Sequence, residues 1–330
     1  MYPDFLIIGA QKAGTTWLQR NLQAHPDIWM PEIKELHYFD EKIRLEGGLL
    51  SRLRNDGLAD ARWRRQIRGR LKKAPSKFSL QDAAWDLKYF LGKPDDAWYA
   101  SLFERGRDKV TGETTPDYSV LPPKTIAHVH DIMPDAKIIF MMRSPIERPW
   151  SAMDMRFRTS GGTLEEVRDR KLYRQFDRKR MRQMTDYLRT LENWGSFYPE
   201  GQIFVGFLED VHFFPEELLE RLYGFLGIDV TVRSEALRYK VHSSSQSTMP
   251  TRFAVHLARS YQEEIEALAE RFGGYATFWL HCVERLTEEL SQEEQQVPYP
   301  LWRSRFWEEW EGSRELATQS GPLSSVQISP

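Results

Sequence analysis

Cysteine is nearly missing from this chain: Cys282 is the single one in 330 residues. One thiol excludes an intramolecular disulfide framework and a cysteine-rich zinc site, and it suits a reducing compartment. Long apolar runs are missing as well. None approaches the roughly 20 residues that a bilayer-spanning helix needs, so no membrane insertion is expected. Met1 stands just ahead of the first apolar run, which leaves no room for a signal peptide before the fold, and a cytoplasmic location is expected. A strong net charge is lacking too: 46 basic against 48 acidic side chains give −2, so no global field points to nucleic acid as a partner. No internal repeat or low-complexity tract interrupts the chain. What is present is an ordinary hydrophobic fraction of 41%, ample for a core. The length suits one large α/β domain or two smaller ones.

Short apolar runs alternate with helical stretches, which predicts a three-layer α/β fold, a central mostly parallel sheet flanked by helices. Strands are expected near residues 5 to 9, 27 to 30, 109 to 112, 137 to 142 and 202 to 207. The first, fourth and fifth are almost wholly apolar, as parallel strands buried on both faces should be. Pro122 and Pro123 open a helical stretch ending near Met133, since proline costs little at a helix start. Residues 163 to 194 read as mostly helical. Phe253, Leu257, Tyr261, Ile265, Leu268 and Phe272 keep a 3.6-residue period after Pro250, which predicts a long helix. Beyond about residue 295 the pattern decays, and the polar stretch Ser320 to Pro330 reads as disordered. Basic residues crowd between Arg62 and Lys73, either as a solvated helix face or as a patch that attracts an anionic acceptor.

The chemistry begins at the first strand. The run Phe5-Leu6-Ile7-Ile8 breaks at Gly9, and Ala10-Gln11-Lys12-Ala13-Gly14-Thr15-Thr16-Trp17 follows before helical spacing resumes. A strand that delivers a glycine-flanked loop onto a helix N-terminus is a phosphate cradle: the glycines let the backbone curl, and the first helical turn offers unsatisfied N–H groups and a positive dipole end. Lys12 adds a full charge, and Thr15 and Thr16 add hydroxyls. The two glycines keep the Walker A spacing, but Thr15 stands where the Walker lysine belongs. A plain strand-to-helix turn would require neither the lysine nor the two threonines.

These residues resemble the 5′-phosphosulfate loop of sulfotransferases that use 3′-phosphoadenosine 5′-phosphosulfate (PAPS), especially the branch of heparan sulfate sulfotransferases. Three further segments match in order. Glu35-Leu36-His37-Tyr38-Phe39-Asp40 resembles the acidic motif after the first helix. Gly112-Glu113-Thr114-Thr115-Pro116-Asp117-Tyr118 resembles the Gly-Glu-Lys-x-Pro-x-Tyr motif. Ile138 to Ser151, with Arg143, Pro145, Arg148 and Ser151 at their stations, resembles the element that binds the nucleotide's 3′-phosphate. The likeness spans most of residues 4 to 280. It implies one sulfotransferase domain over residues 1–295, with a variable, partly basic insertion at about 45–108, and a partly disordered extension at 296–330.

The resemblance also implies roles. The loop from Gln11 through Trp17, with Lys12, Ala13, Gly14, Thr15 and Thr16, would hold the phosphosulfate, and Lys12 would meet the charge that develops on the leaving phosphate. Glu35 would be the general base, with His37 orienting it or sharing its proton. Arg143 and Ser151 would bind the 3′-phosphate, a feature that separates PAPS from ATP, while Arg148 supports their loop. Gln246, Ser247 and Thr248 would cover the nucleotide in place of a Lys-Gly-Arg stretch. PAPS is the expected donor and PAP (adenosine 3′,5′-bisphosphate) the product, with no metal. The acceptor would be a small molecule or carbohydrate. Thr114 replaces a lysine common in glycan-modifying members, and the disulfide of the animal heparan enzymes has no counterpart, so heparan sulfate is not the expected acceptor. Two other readings stay open: a P-loop kinase needing ATP and Mg²⁺, and a non-catalytic nucleotide- or glycan-binding protein. His25, His37, His128 and His130 form no metal motif, because His128 and His130 lie two apart, a poor spacing for one helical face.

Overall fold

The computed structural model describes residues 1–40, 58–71, 80–162, 164, 167–233, 247–288, 295–311 and 318–326. Strands form at β1 (Phe5–Gly9), β2 (Ile28–Trp29), β3 (Val110–Thr114), β4 (Lys137–Met142), β5 (Ile203–Phe207), β6 (Thr248–Pro250), β7 (Gln296–Pro298) and β8 (Gly321–Pro322). The main sheet has the order β2-β3-β1-β4-β5-β8, and β6 pairs with β7 apart from it. Strands β1 to β5 pair in parallel, and β8 joins β5 antiparallel. All five strands expected from the sequence are present, within two residues of their expected ends.

The middle of the sheet is dry. Every residue of β1 is buried, and Phe5 lies opposite both Gly112 and Lys137. The glycine is required there, because a Cβ on Gly112 would sit 2.2 Å from the Phe5 ring. Parallel register puts Gly9, Thr114, Met142 and Phe207 at one edge, so the loops that carry Lys12, Thr115, Arg143 and Leu208 gather where ligands bind in open α/β sheets.

Helices Thr15–Ala24, Pro123–Ile132, Glu147–Thr159 and Pro215–Leu226 serve as connections between strands or cover them. Helix Thr251–Phe272 buries the six residues of the 3.6 period and doubles back into Gly274–Glu288. No described helix is long and apolar enough to cross a membrane. The basic stretch lies partly in helix Leu58–Leu71, where Arg70 pairs with Asp86 at 2.9 Å and with Glu32, bracing the segment that leads to Glu35. Lys72 and Lys73 fall outside the described residues.

The helical stretch expected near residues 163 to 194 is made of three short helices, Asp169–Phe176, Lys179–Gln183 and Tyr187–Gly195. Asp186 caps the third by accepting from Arg189 N at 3.1 Å, and a side chain so engaged favours a helix start over a helix interior. One expectation is corrected: residues 318–326, expected in part to be disordered, are ordered. Ser320 is fully buried, and the Asp210 carboxylate receives Ser320 Oγ at 2.6 Å, Ser320 N at 2.8 Å and Gln319 N at 2.9 Å. A buried carboxylate needs donors, and these polar residues supply them. Gly321–Pro322 then pairs with β5, and Leu323–Val326 is helical.

Candidate active site

Gly14 is the N-cap of helix Thr15–Ala24, in the left-handed region at φ 87°, and offers no side chain to cap the first turn. A Cβ there would be strained and would also approach Leu208 Cδ1 to 3.2 Å. The orphan N–H groups of the first turn are therefore left for an anion. Ala13 and Trp17 have buried side chains, so they can serve a ligand only through backbone. Lys12 has φ 75°, a conformation that costs a non-glycine residue about 1–3 kcal/mol and that clusters at functional sites. Its ammonium meets Met155 Sδ at 3.4 Å, a weak acceptor. Burial, and then the charges of Arg143 and Arg158, push the Lys12 pKa down to about 8.

A second lysine joins it. Lys34 donates to Thr16 Oγ1 at 2.6 Å and Thr15 Oγ1 at 3.3 Å, and burial pushes it down to about 8 against the pull of Glu35. Sequence reasoning missed Lys34. The available signal was its place directly before Glu35, on the loop that returns to the same sheet edge.

Glu35 and His37 also adopt positive φ, 65° and 59°. His37 is buried, with Nε2 3.1 Å from Glu35 Oε2 and Nδ1 2.5 Å from Asp40 Oδ2. The imidazole thus links the expected base to a second carboxylate, and a doubly protonated ring would donate to both. Asp40 is a residue the sequence reading quoted but gave no role. The Gly-Glu-Thr-Thr-Pro-Asp-Tyr segment holds this loop. Glu113 accepts from Tyr99 Oη at 2.7 Å, Thr115 Oγ1 at 2.8 Å and Tyr118 Oη at 3.0 Å, and burial raises its pKa. Tyr118 Oη in turn accepts from Tyr38 N at 2.9 Å, and Glu35 N donates to the Thr114 carbonyl at 3.0 Å. Thr114 itself is buried, and its hydroxyl has no partner among the described residues.

Ligand-type atoms of Glu35, His37 and Asp117 lie within 4.8 Å of one another, the one such trio found among the described residues. Asp117 also pairs with Arg180, a cation that competes with any metal there. His25 instead bonds the Asp229 carbonyl at 2.9 Å, and His128 pairs with Asp96 at 3.1 Å.

Arg143 follows β4 and reaches back to the loop, donating from Nη1 to the Lys12 carbonyl at 3.2 Å. Its Nε and Nη2 donate to Glu147 Oε2 at 3.1 and 2.9 Å, and Nη2 also to the Tyr299 hydroxyl at 2.7 Å. Ser151 is buried, one turn into the helix that Glu147 opens. Arg148 is fully buried and donates to Thr185 Oγ1 at 2.8 Å and the Met181 carbonyl at 3.0 Å, a bracing role. The expected nucleotide cover falls on the β6–β7 pair: the Ser247 carbonyl accepts from Tyr299 N at 2.9 Å, and Thr248 bonds Gln296. Gln246 lies outside the described residues. The structure therefore gathers the loop, Lys34, the Glu35–His37–Asp40 chain and Arg143 with Ser151 at one edge of the sheet.

A model of the Sulfotransferase family matches residues 3–232. Carbohydrate sulfotransferase 15 of Mus musculus is 28% identical over 166 residues, covering 45% of this chain and 26% of that protein. Membrane-associated sulfotransferase kil1 of Dictyostelium discoideum is 27% identical over 149 residues, covering 45% of this chain and 22% of that protein. The match thus spans about a quarter of the length of these curated relatives. Among solved structures, a sulfotransferase from Alicyclobacillus acidocaldarius superposes with a TM-score of 0.55 at 22% identity, covering 82% of this chain and 95% of that one, a likeness of fold.

Proposed function

This chain belongs to the sulfotransferase family, and from that premise we propose that it moves the sulfuryl group of PAPS to a hydroxyl, in preference to an amine, of a glycan, glycolipid or secondary-metabolite acceptor. The observation that carries the reading is the adjacency of Lys34 and Glu35. One residue touches the threonines of the phosphate loop, and the next bonds His37. Donor cation and acceptor base thus stand side by side. The loop also fits an anion on energetic grounds. Two lysines pushed down to about 8 by burial and neighbouring cations are two charges that an incoming anion would relieve.

In the reaction, the acceptor oxygen forms a bond to sulfur as the bond from sulfur to the phosphate oxygen breaks. Glu35 takes the acceptor's proton, a step that typically contributes about 10² to 10⁴ in rate. His37, held by Asp40, keeps Glu35 directed. Lys12 and Lys34 stabilise the charge arriving on the phosphate. Two unit charges about 4 Å apart are worth about 4 kcal/mol at an effective dielectric near 20. Arg143 and Ser151 select the 3′-phosphate. Calorimetric titration with PAP and with ADP, without magnesium, tests the donor, and transfer from labelled PAPS to a panel of acceptors tests the reaction. Preference for ADP would turn the reading to a kinase, and binding of neither to a binding protein.

A further inference from the structure

We infer that Tyr299 is a further ligand of the nucleotide's 3′-phosphate, carried to the site by the segment after β7. The assignment rests on the donor reading above. Arg143 alone is poorly supplied for that task. Of the five N–H donors of a guanidinium, Nε and one on Nη2 go to Glu147, the other on Nη2 to Tyr299, and one on Nη1 to the Lys12 carbonyl. A single donor on Nη1 remains, too few for the bidentate grip that an arginine usually gives a phosphate. The missing donors have to come from neighbours, and the hydroxyl that touches Arg143 is that of Tyr299.

The chemistry of this phenol suits the role. Tyr299 is 1% exposed, and burial raises its pKa against the opposing charge of Arg143, so the phenol stays neutral and keeps a proton to donate. Arg143 fills one lone pair of its oxygen and packs 5.3 Å from the ring centroid, which fixes where the hydroxyl sits. Glu147 does not oppose an anion as a bare carboxylate would. Its Oε2 is covered by Arg143 and its Oε1 accepts from Leu301 N at 2.5 Å. The same segment is tied to the expected nucleotide cover through Tyr299 N and the Ser247 carbonyl. A phosphate held by Arg143, Ser151 and Tyr299 would therefore join the end of β4, the helix after it and the C-terminal segment at one point.

The test compares PAP with adenosine 5′-phosphate, which lacks only the 3′-phosphate. In calorimetry, Tyr299→Phe should keep the ring and the fold, lose about 10-fold or more in PAP affinity, and bind adenosine 5′-phosphate as before. An equal loss for both nucleotides, or no loss for PAP, would overturn the assignment. In the unaltered protein, PAP should slow amide hydrogen exchange at Tyr299 and Leu301 more than adenosine 5′-phosphate does, and equal protection would likewise overturn it. This second readout stands even if the variant folds poorly. Should the unaltered protein bind both nucleotides equally, the donor reading itself fails.

Discussion

Raising the pH from 7 to 9 should weaken PAP binding steeply, and the reason lies in two lysines. Lys12 and Lys34 both sit at about 8 in the free protein, against an ordinary value near 10.4. Each is about 90% charged at pH 7 and about 10% charged at pH 9. If the anion requires the charged form, apparent affinity scales with that fraction, a loss of about ninefold per lysine and about 80-fold for the pair. At pH 8 the bound complex should take up about half a proton per lysine, or about one proton per PAP. Calorimetry in buffers of different ionisation enthalpy reads both quantities. The phosphates of PAP, with a second pKa near 6, contribute little in this range. Lys34→Met should cut the loss to about ninefold and the proton uptake to about one half. Affinity that is flat from pH 7 to 9, or uptake unchanged by Lys34→Met, would refute the claim that both ammoniums face the phosphates.

Glu35→Gln should bind PAP normally and lose about 10² to 10⁴ in turnover, and unchanged turnover would remove Glu35 as the base. Arg143→Ala should weaken PAP far more than adenosine 5′-phosphate, with equal losses counting against its role. Activity should persist in chelator; loss restored by a divalent cation would instead make Glu35, His37 and Asp117 a metal site. Burial raises Glu209 to about 8, so the folded state favours its protonated form, and its contribution to stability is full below about 4.5 and lost as pH rises through about 8. Urea unfolding across that window should show Glu209→Gln losing a few kcal/mol less than the parent, and parallel curves would refute this.

The strands and the loop were legible because their signals are local. An all-apolar run can be only a buried strand or helix, and its length and its glycine flank decide between them, which is how Phe5–Gly9 and the cradle after it were placed. Arg148 was read as a brace from its position within a motif, and its burial against Thr185 agrees. Lys34 was missed for the opposite reason. In sequence it is one charge among Glu32, Lys34 and Glu35, and only the fold brings it across 18 residues to Thr16.

The stretch Ser320 to Val326 was misread on the same principle, and it shows what periodicity leaves out. Apolar spacing detects segments that find order by burying one face. Residues 295–304 and 318–322 are held instead by pairing with strands far away in the chain, by a few buried side chains and by two buried, distant carboxylates. Glu147 receives Leu301 N, and Asp210 receives the Gln319 and Ser320 amides. Burying a carboxylate without donors is costly, so each of these acids makes the order of its distant partner a condition of its own burial. Polar, proline-bearing composition such as Tyr299-Pro300 or Ser320 to Pro322 looks disordered only when the acids that need those donors are not counted with it. Glu147 is the residue where this matters for chemistry: the carboxylate that orients Arg143 also accepts from Leu301 N in the segment bearing Tyr299, so the proposed nucleotide site and residues 299–301 are parts of one hydrogen-bonded unit.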